Sequence, residues 1–71
     1  MSKYVNQFEV IKNYISKNYI SNQDFTMISK EELIIDVRFN TSAKLKIINE
    51  VLELYIKKNI LEDRNNYIYI K

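Results

Sequence analysis

A chain of 71 residues that contains neither glycine nor proline must turn its corners without the two residues that usually make them. Glycine is the default wherever the backbone needs a positive φ, and proline pre-sets a turn. Here both tasks fall to Asn, Asp, Ser and Thr, whose short polar side chains tolerate the left-handed region or cap helices. Clusters rich in these residues stand at Ser21-Asn22-Gln23-Asp24, Asn40-Thr41-Ser42 and Asn65-Asn66, and a lone Asn59 follows a lysine pair. The stretches between them are the candidate helices and strands.

The composition also narrows the function. The chain has no Cys and no His. That removes disulfides, the usual zinc-ligand spacings and every catalytic constellation that needs a thiol or an imidazole. Without glycine no glycine-rich phosphate loop can be built. Glu31 and Glu32 are neighbours at a helix start and point in different directions, so they make a poor acid–base pair. The expectation is a protein that is not an enzyme and needs no cofactor or metal. A cysteine-free chain fits a reducing cytosol. No run approaches the ~20 apolar residues of a membrane span and no signal peptide is visible, so the expected setting is cytoplasmic and away from membranes. Hydrophobic residues make up 46% of the chain, enough for a core. A domain this small still buries only roughly 60% of the surface its unfolded form exposes, so a partner would relieve marginal stability.

Residues 3 to 20 predict a helix. Tyr4, Phe8, Ile11, Ile15 and Tyr19 recur at spacings of three and four and share one stripe. After the break at 21–24, Phe25 to Ile28 leaves room for one short strand. Ser29 and Glu32 form a capping box, in which the Ser hydroxyl takes a backbone N–H and the Glu reaches back. The second helix, 30–38, turns Leu33, Ile34 and Val37 inward. Asn40 is then expected in a left-handed turn, with Thr41 or Ser42 capping the next helix. That third helix, 43–59, carries Leu45, Ile48, Leu52, Tyr55 and Ile56 on one stripe and Ile47, Val51 and Leu54 on a second. The two stripes span an arc of about 200°, wider than a one-sided surface helix needs. This helix is expected to be central or to meet a second partner. Beyond Asn59 the period changes to two. Residues 60–63 and 67–70 flank an Arg64-Asn65-Asn66 turn, where adjacent Asn residues accept the positive φ of a tight hairpin. Tyr67 and Tyr69 alternate with Ile68 and Ile70 and face outward, on what the order suggests is a terminal edge strand.

The succession of helix, short strand, helix, tight turn, helix and hairpin resembles the winged helix-turn-helix family. The likeness is carried by Ile28 to Ile70. SKEEL opens the second helix with Leu33 inside, NTS occupies the turn, the third helix has its core stripe, and KKNIL runs into the hairpin with Asn59 where a glycine is common. The resemblance implies one α+β, mostly helical domain over residues 1–71. It also implies a third helix in the DNA major groove and a wing on phosphate or the minor groove. On that account the DNA-facing candidates are Thr41, Ser42, Lys44, Lys46, Asn49 and Glu50, with Arg64, Asn65 and Asn66 on the wing. Arg38, just before the turn, is placed to reach phosphate or to pair with Asp36 or Glu31. Ser, Thr and a helix N-terminus suit phosphate oxygens, and Lys and Asn can read base edges. The first expectation is therefore a small DNA-binding protein, a regulator or replication accessory of a mobile element or phage. It would act on double-stranded rather than single-stranded DNA, as a dimer.

Charge and hydropathy support a second expectation. The net charge is only +2. Glu50 and Glu53 fall on the face that would approach DNA, and Glu62 and Asp63 sit beside Arg64. Ile47, Val51 and Leu54, together with the outward Tyr67 and Tyr69, can instead supply an apolar strip. The chain would then be an adaptor subunit on a larger protein, such as a replication polymerase or primase or a transcription enzyme.

Overall fold

A computed structural model describes the backbone of residues 3–71 and the side chains from Gln7 onward. The side chain of Tyr4, expected on the first stripe, lies outside the described residues. The rest of that stripe forms as read. In α1 (Lys3–Ile15) Ile11 and Ile15 are fully buried, and Phe8 packs partly buried against them. The end of this helix differs from the periodic reading. Ser16–Ile20 winds as a π-helical turn, closed by the Ser21 N–H donating to Ser16 O at 2.8 Å. The wider turn leaves Tyr19 half-buried against the core.

The β-prone stretch shortens to β1 (Met27–Ser29) and leads directly into α2 (Lys30–Thr41). Ser29 caps α2, its Oγ accepting from the Glu32 N–H at 3.1 Å. Only this half of the capping box is present among the described residues. The first helical N–H, from Lys30, donates to Asn66 O of the hairpin turn at 2.8 Å. Leu33 and Val37 are buried and Ile34 half-buried, as their spacing predicts.

The corner after α2 is where the local reading fails. Asn40 and Thr41 remain helical, because their side chains bond back into the helix: Asn40 Nδ2 to Asp36 O and Thr41 Oγ1 to Val37 O. The left-handed residue is Ser42, with φ of 56°, and it ends α2 rather than capping the next helix. Buried Ala43 follows, and Lys44 opens α3 (Leu45–Lys57) with no side-chain cap.

The third helix is central. Ile48, Val51, Leu52 and Tyr55 are all buried in it, against α1, α2 and the strands. Two sequence assignments change here. Val51, offered as part of a partner strip, is completely buried and belongs to the core; Ile47 and Leu54 beside it are half-buried. Leu45, assigned to the core stripe, is 45% exposed, because it lines an open groove with residues of α2 and the hairpin turn instead of packing into the core. At the other end Asn59, with φ of 61°, closes α3 in a Schellman arrangement. Its N–H donates to Ile56 O and the Ile60 N–H to Tyr55 O.

β2 (Leu61–Arg64) and β3 (Tyr67–Ile70) form the hairpin around Asn65 and Asn66, whose φ values of 53° and 66° suit a two-residue primed turn. The sheet is antiparallel in the order β1-β3-β2, so β3 is its central strand and not an edge. Ile68 sits opposite Ile28 on one side and Asp63 on the other, and its side chain is fully buried on the helices. Met27, Tyr69 and Glu62 align across the outer face, as do Ser29, Tyr67 and Arg64. This is an α+β fold with winged-helix topology: three helices, a short strand after the first, and a closing hairpin.

Candidate nucleic-acid interface and apolar surface

The turn between α2 and α3 gathers the most basic stretch of the chain. From Arg38 to Asn49 there are three cations, Arg38, Lys44 and Lys46, and no acid. All three are exposed, and none makes an ion pair within the chain among the described residues. Ser42 is exposed beside them. The N-terminus of α3 carries no side-chain cap; the Ile47 N–H bonds Lys44 O at 3.1 Å, and the N–H groups of Leu45 and Lys46 have no partner among the described residues. Open helix N–H groups flanked by cations suit a phosphate oxygen.

Further along α3 the exposed positions are Lys46, Glu50, Glu53 and Lys57, one above another on a single face. A major-groove reader presents donors over such a length. Here two carboxylates occupy its middle. Asn49 is half-buried at the side of this face, and Thr41 is turned toward α1, where it lines a shallow depression with Tyr14 and Asn40. The candidate residues therefore divide. Ser42, Lys44 and Lys46 are exposed around the start of α3, while Thr41 belongs to the α1–α2 seam.

The hairpin offers less than its sequence promised. Arg64 donates from Nε to Glu62 at 3.2 Å and lies over the Tyr69 ring with its guanidinium carbon 4.5 Å from the centroid. The Glu62 hydrogen bond and charge hold its pKa above the usual value. Asp63 pairs with Lys30 at 3.4 Å. Asn65 and Asn66 are exposed at the tip, but the Asn66 carbonyl is committed to the α2 start.

An apolar surface adjoins the basic corner. A groove of about 590 Å³ runs between α2, the first turn of α3 and the hairpin turn, lined by Ile34, Ile35, Arg38, Leu45, Asn66 and Tyr67 among others. Ile35 is 59% exposed and Tyr67 41% exposed, and Phe39, one turn beyond Ile35, is 85% exposed. Sequence reasoning did not find Ile35 or Phe39. The signal was present: both are apolar, four residues apart, and lie opposite the Leu33–Val37 stripe. Ending the second helix at Arg38 left Phe39 outside it.

A second feature was also missed. Asp36 accepts hydrogen bonds from the Tyr14 hydroxyl at 2.9 Å, from the Tyr19 hydroxyl, and from Asn40 Nδ2 at 3.0 Å. Burial first, and the Asp36 carboxylate second, push both phenols above their ordinary range. Phenols held protonated in this way are donors, not bases, so the cluster works as a clasp between α1 and α2. Tyr14 comes from the last turn of α1 and Tyr19 from the π turn that follows it, and the two phenols meet at the one carboxylate.

Among the described residues no group of acidic side chains could hold a metal ion, and no helix is long and apolar enough to cross a membrane. Compared with known proteins, the chain matches no family model, no curated protein and no solved structure.

Proposed function

We propose that this protein is a small winged helix-turn-helix DNA-binding protein that grips the phosphate backbone of duplex DNA at the α2–α3 corner and reads few base edges. The observation that carries this reading is the acid-free corner, where Lys44 and Lys46 flank the open N-terminus of α3 and Arg38 stands across the turn. Glu50 and Glu53 on the exposed face of the same helix argue against insertion along its length. Binding is thus expected to be tolerant of sequence, as suits an accessory or regulator of a mobile element or phage.

Gel retardation of a mixed duplex pool tests it. With about three phosphate contacts the slope of log affinity against log salt should be roughly −2.7, and each lysine removed should lessen it by about one. Lys44→Glu with Lys46→Glu should abolish retardation while leaving the circular dichroism melt unchanged. Absence of any shifted band at ~50 mM salt, where such binding is favoured, would refute the reading.

A second reading is an adaptor that docks on a larger protein, such as a replication polymerase or primase or a transcription enzyme. Exposed Leu45 and Tyr67 across one groove favour it. The strip on α3 first considered for this role is weakened, since Val51 is core. An adaptor would lose its partner on Leu45→Ser and keep it on Lys44→Glu.

A further inference from the structure

The outer face of α2 is apolar in the middle and oppositely charged at its two ends. Ile35 and Phe39 stand exposed, Glu31 and Glu32 occupy the first turn, and Arg38 lies in the last. Neither Glu31 nor Arg38 makes an ion pair within the chain among the described residues. The two are two turns apart, about 10.5 Å along the axis and about 20° apart around it, on the same side of Ile35. Both line the groove beside Ile35.

We propose that this face is a self-association surface, on which a second copy of the chain packs its α2 antiparallel about a two-fold axis beside Ile35. Such an interface is isologous, so every contact occurs twice. Turning α2 end for end around Ile35 brings Glu31 opposite Arg38 of the second copy, and Arg38 opposite its Glu31. Ile35 meets Ile35, and Phe39 lies along the stem of Glu32. The antiparallel arrangement also opposes the helix dipoles favourably, acidic N-terminal turn against basic C-terminal turn. A parallel arrangement would set Glu31 against Glu31 and Arg38 against Arg38. The charge order along the helix therefore selects both the partner, a copy of itself, and the direction. An exposed Phe and Ile one turn apart on a domain this small are the kind of surface that association covers. The proposal shares Arg38 with the DNA-binding reading, whereas Ile35 and Phe39 belong to it alone and Lys44 and Lys46 belong to DNA binding alone.

Sedimentation equilibrium of the purified chain without DNA tests it, up to about 1 mM. The unaltered chain should dimerise. Phe39→Ser should leave it monomeric with an unchanged circular dichroism spectrum, since the side chain is exposed. Arg38→Glu or Glu31→Arg alone places like charges together twice and should weaken the dimer roughly tenfold or more. The exchange Glu31→Arg with Arg38→Glu should restore it. A chain that stays monomeric at the highest concentration overturns the proposal and leaves the face to a different partner. A dimer indifferent to Phe39→Ser, or not rescued by the double exchange, overturns it as well. Phe39→Ser leaves Arg38, Lys44 and Lys46 in place, so loss of the dimer in that variant and loss of retardation on Lys44→Glu with Lys46→Glu let the two readings fail separately.

Discussion

Replacing Asp36 by alanine should destabilise the protein well beyond the level of an ordinary surface change. The carboxylate accepts from Tyr14, Tyr19 and Asn40, and so ties the end of α1 and its π turn to α2. Hydrogen bonds to a charged group contribute about 1.5–3 kcal/mol each when shielded from water. The Tyr14 hydroxyl and the Asn40 amide sit near solvent and would regain water. Tyr19 is the more deeply placed of the two phenols and would not regain it fully. The sum is a loss of about 2–3 kcal/mol. A chain of this length has a total stability of roughly 4–10 kcal/mol, so about a third would go. The melting temperature should fall by roughly 10–20 °C. Urea denaturation followed by circular dichroism measures this, with Tyr19→Phe and the double variant completing a cycle. The coupling between positions 19 and 36 should be about 1 kcal/mol or more. If Asp36→Ala stays within about 0.5 kcal/mol of the parent, the level of an ordinary surface change, or if the two substitutions simply add, the clasp is not what joins the helices.

Two further outcomes follow from features of the same fold. Tyr19 and Tyr14 are raised by burial and by Asp36, and Tyr55 by burial and Glu9. A group with a higher pKa folded than unfolded contributes its full stability below the unfolded value, about 10 for a phenol, and loses it as pH climbs toward the folded one. Stability should therefore decline above about pH 10, and Tyr19→Phe should make that decline shallower; parallel slopes for parent and variant would refute the assignment. At the end of α3, Asn59→Gly should raise the urea midpoint, by roughly 0.5 kcal/mol of stability, because φ of 61° strains any residue with a Cβ. Asn59→Ala should lower it by about 1 kcal/mol, and equal midpoints would show that the left-handed position is not under strain.

Much of the fold was legible because its signals are periodic or local. The stripes through Ile11 and Ile15, Leu33 and Val37, and Ile48 and Leu52 name the buried faces, and the paired Asn65-Asn66 names the hairpin. The errors sit where a tertiary neighbour decides. Leu45 and Val51 are both apolar residues of one helix, and only the placement of α1, α2 and the strands makes one exposed and the other core. Asn40 was assigned to a turn by type, but its amide had a better partner one turn back in Asp36. Ser42 took the left-handed position instead. The candidate site was legible in part. Lys44 and Lys46 are singled out by the resemblance, and Glu62 lies two residues from Arg64 on the same strand, whereas the stacking of Arg64 on Tyr69 depends on strand register. The outer face of α2 was hidden by a helix boundary set three residues too early.

The place of β3 between β1 and β2 gives its two pairings very different loop-closure costs. The β2–β3 hairpin needs only its two-residue turn, a step of microseconds. Pairing β1 with β3 must close a loop that contains both α2 and α3. The entropy of that closure is met before its contacts are gained, and such non-local pairings govern folding speed. The corner between α2 and α3 lies inside the loop that the pairing of Ile28 with Ile68 closes. The sheet thus acts as a latch across the helical pair, and the basic corner is held inside the loop that the latch closes.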